Sequence, residues 1–453
     1  MRSGRIGTWA AIAIACAACG DPGSSSTSHG GTGGSGGASS GGAAGHGGTS
    51  TSGTGGNTGG TSAGGGGSAP IDLCAGLVQD KASHPVTPLA RPALGQAVTD
   101  PDFGTTVRRI TAVMPPGGGN DPVVKPMYST ISAWNADESR LILFSVAEGT
   151  HVLYDGKTYE RIGPLDISPA DIEQVYWHTK DPDILFYVDY QDFVRYHVST
   201  KQKEVLTTFD FCSGAASAGS DPLFTSWDSK RIGLGCGSEV FLYDIASNQV
   251  IAKQTIAENP AQATPSGKLA YLSDSGRVTN EALVPLRTLD LVEPWGHASL
   301  SMVNGHDTWN GVVYDPGPNG NDDIGALVTW DLEDGTSKVV IGPKTGWPYP
   351  PTVHLSGMAY KQPGWVFVST IGETSEPGIL DNENLIADTA TGKVCRIGRH
   401  RSTGKDNTHL QEPYWAEPHT VPSPSGTRAL FGSDWDGGDT VDTYVIELPS
   451  YVP

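Results

Sequence analysis

The chain has 453 residues and carries 49 Asp and Glu against 29 Lys and Arg, a formal net charge of −20. So acidic a balance opposes binding to a phosphate backbone through a general field, and nucleic acid is not expected as a partner. With 60 glycines, and about 380 residues beyond the glycine-rich start, one ordinary core is excluded unless the chain builds a closed repeat array or a barrel.

Residues 1–18 read as a lipoprotein signal peptide. Arg2 and Arg5 precede the apolar run Trp9-Ala-Ala-Ile-Ala-Ile-Ala15, which is too short for a permanent membrane span, and small residues lead to Cys19. The segment Ala-Ala-Cys19-Gly resembles a bacterial lipobox, which implies acylation of Cys19, with Cys16 as a second acceptor and a soluble secreted protein as the alternative. Residues 19–69 are almost wholly Gly, Ser, Thr, Ala and Asn, cannot bury apolar surface and are expected to form a disordered leash. About 50 such residues span roughly 40 Å. The expected location is the cell envelope, at the outer membrane or cell surface, with the membrane contacted through the lipid alone.

Residues 70–453 are expected to form one all-β domain. Short alternating apolar runs separated by Gly, Asp, Asn, Ser and Pro recur, and helix signals are nearly absent. One half of the repeat is a turn leading into an apolar strand: Trp134 to Phe144, Trp177 to Phe186, Trp227 to Leu234, Thr264 to Tyr271, Ser299 to Tyr314, Ala359 to Phe367 and Pro422 to Phe431. The other half is a hairpin around an Asp, Gly or Asn turn, as in Val152 to Thr158, Val194 to Thr200, Val240 to Ser247, Leu327 to Gly335 and Leu385 to Gly392. Seven copies predict a seven-bladed β-propeller of four-stranded antiparallel blades. The last copy, Asp442 to Leu448, stops before its outer strand, and Thr106 to Thr111 supplies a matching one. The ring is therefore expected to close through an N-terminal strand, removing an open edge.

Four cysteines lie in this domain, and an even number in an exported chain predicts disulfides. Three pairings are open; Cys212 with Cys236 and Cys74 with Cys395 are favoured, the first because both flank one blade entrance. Buried free thiols are the alternative.

In a propeller the residues heading the inner strands converge on one mouth. His297, His354 and His419 fall at near-equivalent positions of blades five, six and seven. With Gln411, Glu417 and Asp307 as oxygen donors and His306 and His409 on adjoining loops, they could hold one divalent ion, Mn, Zn or Ca. Tyr128, Tyr176, Trp347 and Trp415 are candidates for stacking on a sugar, whereas Trp134, Trp177 and Trp227 recur at matched positions and read as packing. Arg396 to Lys405 is the densest basic run, and within it Arg399, His400 and Arg401 are candidates for contacting an anionic glycan and for catalysis. A solvated hairpin loop is the alternative for that run. Asp315 to Asp323 lacks the ligand spacing of a calcium loop and reads as a surface turn.

The turn Ser423-Pro-Ser-Gly-Thr-Arg-Ala-Leu-Phe431 resembles those of TolB-like propellers. The longer stretch from Gln411 through Glu417-Pro-His419 to Asp434 resembles the C-terminal blade of oligogalacturonate lyases, seven-bladed propellers in which His and Gln hold a Mn ion beside an acidic sugar. Where that family has a Gln and two closely spaced His, this chain has Gln411 and His419, so a further imidazole must come from His409 or elsewhere. The resemblance implies β-elimination on a uronic acid. The residues alone support a propeller that binds an extracellular carbohydrate or protein without catalysis, and the metal-assisted polysaccharide lyase stands as the alternative.

Overall fold

The structure, a computed structural model, describes residues 71–113, 120–219, 225–291, 297–314, 323–374 and 376–453. The signal peptide, Cys19, the leash and most of the Asp315 to Asp323 turn lie outside the described residues. Seven antiparallel sheets follow one another along the chain, giving the seven-bladed all-β propeller that the repeats predict.

Blade one runs from Val124–Lys125 through Arg140–Ser145 and Thr150–Asp155 to Arg161–Pro164. Blade two comprises Val175–Trp177, Ile184–Asp189, Asp192–His197 and Gln202–Thr208. Blade three has three strands, Arg231–Cys236, Glu239–Asp244 and Gln249–Thr255, and its inner position holds a single bridge from Ser217 to Gly235. Blade four is Gln262–Ala263, Leu269–Leu272, Arg277–Asn280 and Pro285–Thr288. Blade five is Ser299–Val303, His306–Val312, Leu327–Asp331 and Ser337–Ile341. Blade six is Thr352–Ser356, Trp365–Ile371, Glu383–Asp388 and Lys393–Arg399.

Blade seven joins the two ends of the domain. Its C-terminal strands Val421–Pro422, Arg428–Ser433 and Asp442–Glu447 are completed by Thr106–Arg109, with Val107 opposite Ile446. The closing strand is the expected one, but the blade gains a fifth, Ala97–Thr99. The chain doubles back at Asp100, whose carboxylate accepts the amides of Asp102 and Phe103, and the second strand lies antiparallel on the first.

The repeated hairpins share one polar device. Asp155, Asp244, Asp331 and Asp388 each end a strand and accept turn amides two to three residues on, at 2.7–3.3 Å. Blade two has His197 at that place, and Asp183 from the neighbouring turn takes over by accepting the Ser199 amide at 2.7 Å. Inward-facing side chains fill the spaces between blades, with Trp134 fully buried and its indole N–H donating to the Gly156 carbonyl. Trp177 donates to the Ala133 carbonyl, so both tryptophans link adjacent turns as well as packing. Blades five and six approach closely at Gly357: a Cβ there would stand 2.4 Å from the Leu300 carbonyl oxygen, and its amide donates to Ser299 Oγ. That contact sets the spacing of the two inner strands near the site.

The disulfides are Cys74–Cys395 and Cys212–Cys236. The first ties residues 71–87 as a strap along the outer strand of blade six, where Val78 bridges Arg396.

Candidate metal and ligand site

Three blades and the closing seam deliver side chains to one buried cluster. His297 lies two residues before the inner strand of blade five, His354 lies within that of blade six, and His419 lies two residues before that of blade seven. His297 and His419 both adopt left-handed backbone, with φ of 44° and 43°. A non-glycine residue held there stores about 1–3 kcal/mol and persists only where its surroundings fix it.

The three imidazoles meet, with ring centroids 4.6 Å apart between His297 and His354 and 4.2 Å between His354 and His419. His354 Nε2 donates to Glu417 Oε2 at 2.7 Å, and its Nδ1 lies 3.2 Å from His297 Nδ1. The second ring nitrogen of His419, Nε2, faces the same carboxylate oxygen at 3.7 Å. That nitrogen is buried and has no hydrogen-bond partner among the described residues. His354 and His419 have no exposed surface, His297 is half-buried, and the Glu417 side chain is 12 % exposed.

The electrostatics follow from burial. Desolvation pushes His419 well below the usual imidazole range, and the neighbouring Lys125 and His354 side chains add to the effect. Burial pushes the Glu417 carboxyl up, but the hydrogen bond from His354 and the nearby His419 imidazole outweigh it and hold the group well below the usual carboxylate range.

Donor atoms of His354, Glu417 and His419 all lie within 4.8 Å of one another. Two imidazoles, one of them with a buried ring nitrogen that has no hydrogen-bond partner among the described residues, and one carboxylate fit a divalent ion of the Mn or Zn kind. A single carboxylate offers far fewer oxygens than the about six to eight that Ca takes.

The other predicted residues divide. Tyr128 is buried against the cluster, its ring 5.0 Å from His419 and 5.8 Å from His354. Trp415 and Tyr414 sit on the short turn Pro413–Ala416 that leads into Glu417; the Tyr414 ring is 5.0 Å from His419, and Trp415 lies beside Phe144. Tyr176 is buried on the inner strand of blade two, and its hydroxyl has no partner among the described residues. Gln411 is exposed, its backbone amide bound by Asp121, and His409 is exposed on the same loop. His306 and Asp307 occupy the far end of blade five from His297: Val303 pairs with His306 while Ser299 pairs with Asn310. There His306 pairs with Asp331, and Asp307 accepts from Ser266. Trp347 is buried under Lys81.

The basic run is corrected most strongly. Arg396, Arg399 and Arg401 are buried rather than displayed, because each guanidinium donates to a strap carbonyl: Ala82 at 2.6 Å, His84 at 3.0 Å and Thr87 at 2.8 Å. His400 is also buried, one ring nitrogen bonded to the Thr370 carbonyl at 2.7 Å and the other accepting the Ser402 amide. The catalytic candidates Arg399, His400 and Arg401 thus hold the strap and the blade six to seven connection, and no described contact joins them to the histidine cluster.

Lys125, on the inner strand of blade one, is the residue that sequence reasoning missed. Its side-chain nitrogen lies 2.8 Å from His419 Nδ1 and donates to the Glu417 carbonyl at 3.0 Å. Burial lowers it to about 7 against the opposing charge of Glu417 and Glu173. The available signal was a lone lysine in the apolar stretch Pro122-Val-Val-Lys125-Pro-Met at a blade entrance.

No protein-family model matches this sequence, and no curated protein does. Solved structures do match in fold. An oligogalacturonate lyase from Vibrio parahaemolyticus superimposes with a TM-score of 0.54 at 15 % identity, covering 79 % of this chain and 99 % of that one. An oligogalacturonate lyase in complex with manganese gives 0.55 at 15 % identity, covering 80 % and 97 %. At that identity the likeness establishes a shared propeller fold.

Proposed function

We propose that this chain is a metal-assisted lyase that cleaves uronic-acid polysaccharides by β-elimination outside the cytoplasm. The observation that carries the reading is the convergence of His354, Glu417 and His419, with the unpartnered Nε2 of His419 turned into their midst. The fold shared with oligogalacturonate lyases, one of them a manganese complex, supports it.

His354, Glu417 and His419 would hold the ion, with His297 at their edge. When bound, a divalent cation supplies positive charge that neutralises a uronate carboxylate and makes its α-proton more acidic. Half-buried His297 is the imidazole placed to take that C5 proton as a general base. The electron pair of the C5–H bond becomes the C4–C5 double bond as the C4–O bond breaks, and the departing sugar oxygen takes up a proton. Tyr414 and Trp415, on the turn beside the cluster, offer apolar faces to the sugar ring. Two disulfides support export, because such bonds persist in oxidising compartments. Anchoring through acylated Cys19 and the leash of residues 20–68 belongs to the same proposal.

The test is incubation with pectate, alginate and other acidic polysaccharides while following the ultraviolet absorbance of the unsaturated product. Absorbance should rise with Mn and stop with a chelator or in His419→Ala. No rise with any acidic glycan, in the presence of Mn or Zn, overturns the enzymatic reading.

A second reading has one observation in its favour. The arginines expected to meet an anionic substrate are consumed by the strap, which suits a propeller that binds an extracellular carbohydrate or protein without reaction. Retention on immobilised glycan without product formation would support that reading.

A further inference from the structure

Lys125 is buried with 1 % exposure, where an amine, charged or neutral, is costly unless its nitrogen makes compensating hydrogen bonds. It makes two, both to the tripeptide Glu417-Pro-His419. One goes to the backbone carbonyl at its start and the other to the ring at its end. Tyr414 and Trp415 close over the same nitrogen, their ring centres 5.5 and 5.8 Å away.

The tripeptide needs such a clamp. His419 sits at φ 43°, a conformation that L side chains rarely adopt, and it is held there across the seam where blade one meets blade seven. Blade one is itself fixed at that seam: the Val124 amide donates to the Val441 carbonyl at 3.0 Å, and Thr443 Oγ1 donates to the Val124 carbonyl at 2.8 Å. Lys125 therefore projects from a rigid strand onto a strained turn. With Nδ1 of His419 engaged by the Lys125 nitrogen, the ring turns only Nε2 toward Glu417 and His354; for Nε2 to offer its lone pair to a cation the ring proton sits on Nδ1, and Lys125 accepts it as a neutral amine while donating to the Glu417 carbonyl.

We infer that Lys125 is the positioning residue of the metal site: it locks the His419 ring with Nε2 directed at the shared donor cluster, and so sets the affinity of that cluster for a divalent ion. This rests on the cation-binding reading proposed above. Outer partners of a ligating imidazole typically govern affinity by 10–100-fold, and Lys125 occupies that place.

The experiment uses the full chain and the variants Lys125→Met, Lys125→Gln and Lys125→Arg. Mn dissociation constants are measured by calorimetry, the visible spectrum is recorded after Co loading, and the imidazole nitrogen shifts of His419 are recorded by NMR without metal. Lys125→Met should weaken Mn binding by about tenfold or more, change the Co spectrum and shift the His419 nitrogens, with partial recovery in Lys125→Arg. Wild-type Mn affinity and an unchanged Co spectrum in Lys125→Met overturn the inference. If Lys125→Met fails to fold, Lys125→Gln is judged by the same criteria. Should the wild-type chain bind no metal, the cation reading falls; the metal-free nitrogen shifts then decide the positioning role, and unchanged shifts in the variant end it.

Discussion

Arg396 and Glu383 form a two-point ion pair in which neither side chain has any exposed surface, with Nε bonded to Oε2 at 2.7 Å and Nη2 to Oε1 at 2.6 Å. Arg396 also donates to the strap carbonyl of Ala82, so one guanidinium joins two strands of blade six to the N-terminal strap. Removing one partner of a buried pair leaves an uncompensated charge, which costs about 3–5 kcal/mol. Glu383→Gln should lower the denaturant midpoint correspondingly, and a loss under about 1 kcal/mol would show that the pair is replaceable.

The strap should be separable from the ring. Breaking Cys74–Cys395 by Cys74→Ser with Cys395→Ser removes a link between residues 321 apart in sequence, and its loss is expected to cost about 2–5 kcal/mol. Limited proteolysis should then cut first within residues 75–90. Initial cleavage inside the blades would contradict the strap's role as a separate clasp.

Acid should weaken the fold through His400. Burial lowers its imidazole from 6.5 to about 4. Above about 6.5 neither state binds the proton, whereas between 6.5 and 4 the unfolded chain takes it up and the folded chain does not. Stability present at neutral pH is therefore lost as pH falls through that window, by roughly 3 kcal/mol at the limit. His400→Asn should flatten this part of the stability profile, measured as the slope of unfolding free energy against pH. An unchanged slope would assign the acid sensitivity elsewhere, with buried His151, lowered to about 4, as the next group to test.

Tyr176 keeps a buried hydroxyl without a partner among the described residues, so Tyr176→Phe removes a polar group that contributes no described bond. Stability should stay within about 1 kcal/mol of wild type or rise. If that hydroxyl meets a bound ligand, affinity for acidic oligosaccharides should fall severalfold in the same variant. A marked loss of stability would mean that the phenol is bonded within the fold.

The imidazoles should not be interchangeable. His354→Ala and His419→Ala are expected to abolish Mn binding, whereas His409→Ala, in an exposed loop residue, should leave it intact. Loss of binding on removing His409 would move the site toward Gln411.

The ring was legible in the sequence because each hairpin repeats the same turn chemistry: Asp155, Asp244, Asp331 and Asp388 mark equivalent corners, and Thr106 to Arg109 supplies the strand that blade seven lacks. His297, His354 and His419 were found by counting back from those corners. Lys125 was not, since a single lysine within a two-residue strand gives no periodic signal and its partner lies 294 residues away. The basic run misled for a related reason. Local charge density reads as surface, and only the folded strap, with carbonyls at Ala82, His84 and Thr87 facing Arg396, Arg399 and Arg401, reveals those charges as buried.

Anomalous X-ray scattering from crystals grown with Mn tests the central claim most directly. One strong peak is expected within bonding distance of His354, Glu417 and His419. A well-ordered cluster without a peak, or a peak at His306, Asp331 and Glu333 alone, would contradict it.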